Sequence, residues 1–342
     1  MRAPDRGIRI GRPPKGAARG GPERAEPGMG GKGAAMRPAG RFGAYAWWVV
    51  AWNVATILWG AFVRATGAGA GCGSHWPLCN GQVVPRAPEV ETLIEFSHRA
   101  TSGVALLLVI GLVVYSRRAG APGSLVRRAA GASLAFVVIE ALIGAGLVLF
   151  GWVAQDQSLG RVVAVSLHLV NTLLLLAALT ITARAAMFPG GLHLQWSRSS
   201  LILWGMGLVG MAVLGATGAI TALGDTLSPA RSLAGGLAAD VSSTANTLIR
   251  LRVVHPVLAV LVGGGILALA GRLGKGGGKP ARLATWLRVV IIVQWAAGAL
   301  NVALLAPVWM QIVHLLLADL AWIVWVLLGL QAAVPSIQSS TG

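Results

Sequence analysis

The stretch from Thr92 to Tyr115 reads TLIEFSHRATSGVALLLVIGLVVY, an apolar run whose first third carries Glu95, His98 and Arg99. It has about the length an α-helix needs to cross the hydrocarbon of a bilayer, near 20 residues. Ionisable side chains inside such a run are costly and are functional candidates by default. The same kind of run recurs along the chain. Eight spans are predicted, at about 44–66, 92–115, 129–150, 161–184, 200–223, 247–270, 288–306 and 310–332. Composition agrees: of 342 residues 55% are hydrophobic and 11% charged, against about 25% charged in a soluble domain. A water-soluble enzyme is excluded.

The net charge of +17 would suggest nucleic acid in a soluble protein, but its placement argues otherwise. Bases gather in the N-terminal tail and in connecting segments: Arg117, Arg118, Arg127 and Arg128, then Arg184 and Arg198, then Arg272, Lys275, Lys279 and Arg282. The intervening loops hold Glu89, Glu91, Asp156, Asp225 and Asp240. The bias of Lys and Arg toward the cytoplasm then puts both termini inside and the acid-bearing loops outside. Residues 1–43 are Pro, Gly and Arg-rich, with no apolar core for a secretory signal and no serine for a transit peptide, and are expected to form a disordered basic tail. Met29 and Met36 are alternative starts to Met1. Residues 274–279 lack the spacing of a phosphate-binding loop and are expected to be linker.

The order of spans looks doubled, and Ala65-Thr66-Gly67-Ala68 is echoed by Ala216-Thr217-Gly218-Ala219. The expected fold is an all-α membrane protein of eight transmembrane helices in two tandem pseudo-symmetric four-helix bundles. Its divisions are the tail 1–43, bundles at 44–185 and 200–334, a cytoplasmic linker 186–199 and a tail 335–342.

Four of the six histidines, His98, His168, His255 and His314, fall one each on spans two, four, six and eight, roughly 4–8 residues from the outer end. One intramembrane histidine can be explained as a helix–helix hydrogen bond; four at equivalent places call for a shared chemistry. Zinc or di-iron would want carboxylates or a second histidine on the same helix, whereas one imidazole from each of two helices suits the axial ligation of a haem iron. The predicted pairs are His98 with His168 and His255 with His314. Three residues before His98 stands Glu95, whereas three before His255 stands Arg252, a cation able to pair with a propionate. This asymmetry suggests one reactive site and one electron-transfer site. Cys72 and Cys79, seven apart in an outer loop, read as a disulfide, with a structural staple and a redox-active pair both open. His75 and His193 are expected on the surface. Glu140 and Asp319 are intramembrane acids without an assigned role.

The motif Gly71-Cys72-Gly73 with Trp76-Pro77-Leu78-Cys79-Asn80-Gly81, followed by Glu95-Phe96-Ser97-His98-Arg99, resembles haem A synthase over about residues 44–332. That resemblance implies oxidation of the C8 methyl of haem o to a formyl group, with water as the oxygen source, in assembly of terminal oxidases. It implies that His98 and His168 hold the substrate haem, that His255 and His314 ligate a permanent haem b, and that Glu95 takes part in the oxidation. Cys72 and Cys79 match the family's exoplasmic cysteine pair. A haem o synthase is the implied donor, a bacterial cell membrane with its lipid the implied setting, and a homo-oligomer is compatible. The rival class is a bis-histidine b-type cytochrome that moves electrons without modifying its haem, which leaves Glu95 and the cysteine loop unexplained. A transporter built on inverted repeats would want broken helices at mid-membrane, so the off-centre histidines rank it last.

Overall fold

The computed structural model describes residues 38–188, 190–245, 247–275 and 277–334. Most of the expected N-terminal tail, with Met1, Met29 and Met36, and the tail 335–342 lie outside the described residues. Ten α-helices form among them: α1 Pro38–Ala65, α2 Val90–Ala119, α3 Leu125–Leu149, α4 Leu159–Ala186, α5 Arg198–Leu227, α6 Leu233–Val241, α7 Thr247–Leu251, α8 Val254–Leu273, α9 Gly278–Ala303 and α10 Val308–Ala332. No strand occurs among the described residues. Eight segments are long and apolar enough to cross a membrane, with α7 and α8 together supplying Leu248–Leu273. The chain is a multi-pass membrane protein.

The helices run beyond the apolar stretches that announce them. The first begins at Pro38, inside the expected tail, and Arg117, Arg118, Arg127 and Arg128 fall in the end turns of α2 and α3, leaving only a short turn between them. Arginine has good helix propensity, and its stem can lie along apolar surface while the charge reaches water, so a helix continues past the hydrocarbon edge. The sixth span departs from expectation: a single helix over 247–270 is replaced by α7 and α8, broken at Arg252 and Val253. Pro256 explains the break, because it offers no N–H to the Arg252 carbonyl and its ring clashes there. The loop before it also holds α6, where no helix was expected.

In the N-terminal half α1 packs on α2 and α4, α2 on α3, and α3 on α4; in the C-terminal half α5 packs on α8 and α10, α8 on α9, and α9 on α10. The halves also touch, through α4 on α5 and α10 and through α1 on α10. One core runs across that seam, joining Phe42, Val109, Leu112 and Leu176 to Trp322 and Val326 of α10. The α5–α10 contact is close because Gly207 and Gly329 each face an indole, and Trp204 and Trp325 donate Nε1–H to one another's carbonyls at 3.3 and 3.2 Å. A methyl group on either glycine would collide with the ring. Arg64, at the last turn of α1, is a second tie: it donates to the Ala222 carbonyl at 2.6 Å, to Thr226 Oγ1 at 2.7 Å and to Gln311 Oε1 at 2.9 Å.

Candidate functional site

Each of the four histidines lies a few turns inside its span. His98 follows Val90 by eight residues, His168 follows Leu159 by nine, His255 follows Leu248 by seven and His314 follows Val308 by six. At 1.5 Å per residue the three on unbroken helices lie about 9–14 Å along them, whereas His255 is the second residue of α8, just past the break. Those three lie a little deeper than the apolar runs imply, because the helices begin earlier. All four side chains are half-buried.

A glycine on the neighbouring helix makes room for every one of them. A methyl at Gly60 of α1 would stand 2.9 Å from His98 Cε1, and one at Gly218 of α5 would stand 3.0 Å from His255 Cε1. Gly298 of α9 stands in the same relation to His314 at 3.1 Å, and Gly144 of α3 to His168 at 4.0 Å. Gly60 and Gly218 therefore occupy matching places in the two halves. The Ala-Thr-Gly-Ala echo does not: its first copy straddles the end of α1 at Ala65, while its second lies well inside α5. The echo is out of register with the histidine contacts by seven residues, two helical turns.

The His255 and His314 ring centroids are 6.3 Å apart, nearly perpendicular. Each ring has spare hydrogen-bonding capacity. The Nδ1 atoms of His98, His168 and His314 are buried without a hydrogen-bond partner among the described residues. His255 Nδ1 lies 3.3 Å from Thr217 Oγ1, and that hydroxyl also lies 2.9 Å from the Leu214 carbonyl. Gln294 Nε2 lies 3.2 Å from His314 Nε2.

Glu95 is buried at 4% exposure and faces the loop that holds Cys72 and Cys79. Its Oε2 accepts from the Cys72 backbone N–H at 2.7 Å, and its Oε1 pairs with the Arg99 guanidinium. Arg99 in turn donates to the His75 and Leu78 carbonyls at 2.6 and 2.7 Å. Cys72 and Cys79 are joined in a disulfide, and Thr92 Oγ1 donates to the Gly71 carbonyl at 2.7 Å. The Glu95–Arg99 pair, one helical turn long, thus straps the disulfide loop over the N-terminal end of α2 beside His98. His75 and His193 are exposed, as expected.

The matching place in the other half carries the opposite charge. Arg252, expected to be available to a propionate, is instead buried between Asp225 at 3.1 Å and Asp240 at 2.9 Å. The helix break at 252–253 and the folding of α6 bring those carboxylates to it, which the linear sequence does not display. Of the unassigned acids, Asp319 is 1% exposed, with both oxygens lacking a hydrogen-bond partner among the described residues. Glu140 stands beside His168, with Oε1 3.4 Å from Nδ1.

An all-helical membrane protein with one histidine on each even-numbered span is the class that fold and site define. The family model described as cytochrome oxidase assembly protein, COX15-CtaA, matches residues 43–326, and the chain belongs to that family. A Thermus thermophilus protein named Protoheme IX farnesyltransferase is 48% identical over 294 residues, which cover 85% of this chain and 48% of that protein. Proteins named Heme A synthase from an Exiguobacterium species and from Shouchella clausii are 38% identical over 123 residues and 44% over 95. Those matches cover 36% and 28% of this chain, and 40% and 32% of the relatives. The chain therefore spans about half the length, or less, of these curated relatives. The resemblance seen in the loop and Glu-x-x-His-Arg motif agrees with the family that the comparison finds.

Proposed function

We propose that this chain is a haem A synthase of a bacterial cell membrane, oxidising the C8 methyl of haem o to the formyl group of haem a. Conversion of a methyl to a formyl with one oxygen from water releases four electrons and four protons. The observation that carries the reading is the doubled constellation: four half-buried imidazoles, one on each even-numbered span, each ring seated against a glycine of a neighbouring helix. Imidazoles so placed fit axial haem ligation. A 6.3 Å separation of ring centroids leaves room for one iron at metal–imidazole bond lengths of about 2 Å on each side.

In this reading His98 and His168 hold the substrate, haem o, and His255 and His314 hold a resident haem b. Haem b, when bound, supplies a redox centre through which electrons leave the oxidised substrate. The protein's own contribution to the chemistry is Glu95, whose carboxylate stabilises the positive charge that develops on the methyl carbon in a site of low dielectric. The strapped loop shields that end of the pocket. The Cys72–Cys79 disulfide faces the oxidising side, with both termini in the cytoplasm. The farnesyltransferase name of the Thermus relative, about half of which this chain matches, supports a haem o synthase as the neighbouring donor of substrate.

The test is the haem content and spectrum of protein purified from a host that makes haem o. Two haems per chain are expected, one lost on changing His98 or His168 and the other, b-type, on changing His255 or His314. A protein holding only haem b in both pockets, and never haem o or haem a, would favour the electron-transfer cytochrome.

A further inference from the structure

Glu140 has no part in the reading above, yet it is placed as deliberately as the ligands. It lies on α3, four residues before Gly144, the glycine against which His168 rests. Its Oε1 is 3.4 Å from His168 Nδ1. Two donors on α4 hold the carboxylate from the other side: Asn171 Nδ2 donates to Oε2 at 2.5 Å and also to the Phe136 carbonyl at 2.9 Å, and Thr172 Oγ1 donates to Oε1. Asn171 and Thr172 are three and four residues past His168, one turn along the same helix, so a single helical turn presents the imidazole and both clamps.

The C-terminal half has a residue at the same place but a different contact. Gln294 of α9 is four residues before Gly298, the glycine that seats His314, and its Nε2 donates to the ring's Nε2 at 3.2 Å, while His314 Nδ1 has no hydrogen-bond partner among the described residues. The residues three and four past His314 are Leu317 and Ala318, which offer no side-chain donor. A carboxylate with two clamps in one half therefore corresponds to a neutral amide with none in the other.

We propose that Glu140 is a positioning residue of the N-terminal pocket: it orients His168 through Nδ1 and makes that imidazole the stronger donor to iron, whereas His314 has no such partner at its Nδ1 among the described residues. Histidines that ligate metals commonly give their second N–H to a carboxylate or carbonyl, which fixes the ring and raises its basicity. A more basic axial imidazole stabilises ferric over ferrous iron and lowers the midpoint potential of its haem. The two pockets are thereby set apart: the one that loses electrons from its occupant is the richer in donor strength, and the relay beside it sits higher. This inference rests on the proposal that His168 ligates haem o.

The experiment is a spectroelectrochemical titration of the full-length protein purified from a haem o-producing host, in wild-type, Glu140→Gln, Thr172→Val and His168→Ala forms. The component lost in His168→Ala defines the N-terminal haem. Glu140→Gln is expected to raise the potential of that component while leaving the haem b component in place, and Thr172→Val, which removes one donor that holds the carboxylate, to shift the same component alone. A folded Glu140→Gln protein whose N-terminal potential is unmoved overturns the proposal. Should that variant fail to fold, Thr172→Val decides, and an unmoved N-terminal potential overturns it equally. A wild-type protein with no component dependent on His168 sinks the functional reading itself, which is a different result from a component that is present and does not shift.

Discussion

Replacing Glu95 by Gln keeps the size of the side chain and one acceptor oxygen but removes its charge. In the structure that carboxylate serves two donors, the Cys72 N–H at 2.7 Å and the Arg99 guanidinium. A glutamine can satisfy only one of them with its oxygen and must turn an NH₂ toward the other. Breaking a buried ion pair outright costs about 3–5 kcal/mol. Arg99 keeps the His75 and Leu78 carbonyls, however, so the loss falls toward that of one charge-assisted hydrogen bond, about 1.5–3 kcal/mol. The fold and the haem b of the distant C-terminal pocket should survive that. If the charge stabilises the cation developing on the substrate methyl, conversion of haem o to haem a should fall about 10²–10³-fold, as when one preorganised electrostatic contact is removed elsewhere. Those two energies are similar in size, so a control is needed. Arg99→Gln loosens the same loop at least as much, because it gives up the ion pair and both carbonyl contacts, yet leaves the carboxylate in place. The assay is the rate of haem a formation, by mass analysis of extracted haems, with haem b content and thermal stability measured alongside. An Arg99→Gln protein as slow as Glu95→Gln, or a Glu95→Gln protein at the normal rate, would refute a direct role and leave Glu95 as the anchor of its loop.

Gly218→Ala and Gly298→Ala place a methyl 3.0 and 3.1 Å from an imidazole carbon, so each should lower haem b occupancy, read from the reduced spectrum; unchanged occupancy in both would remove the seating argument. His255→Ala and His314→Ala should each abolish the low-spin b-type spectrum. Arg64→Gln removes at least one of three hydrogen bonds that join the last turn of α1 to α5 and α10, at about 1.5–3 kcal/mol for each bond to a charged group, and should lower the melting temperature without altering ligand spectra. In intact cells Cys72 and Cys79 should resist thiol reagents until reduced, and labelling only after lysis would place the loop in the cytoplasm and reverse the topology.

Much of this was legible in the sequence because the bilayer imposes strong rules. Eight apolar runs gave the eight spans, and four histidines stood out because nothing in hydrocarbon tolerates them idly. What the sequence hid depends on register between helices. Glu140 is 28 residues from His168 and becomes its neighbour only when α3 packs against α4. Arg252 reads as a cation able to pair with a propionate until folding brings Asp225 and Asp240 to it, and the tie between Arg64 and Gln311 likewise forms only across the packed helices. The glycines that seat the histidines are a few among 47, and the repeated Ala-Thr-Gly-Ala drew attention to the wrong register. The break before α8 did have a visible signal, since Pro256 directly follows His255.

The central claim is that the N-terminal pocket changes its haem and does not merely hold it. The most direct measurement is mass analysis of the haems extracted after co-expression with a haem o source in ¹⁸O-labelled water. The account predicts haem a whose formyl oxygen comes from that water, beside an equal amount of haem b, and no haem a when His98 or His168 is changed. Haem o recovered unaltered from a folded protein that retains its haem b would contradict it.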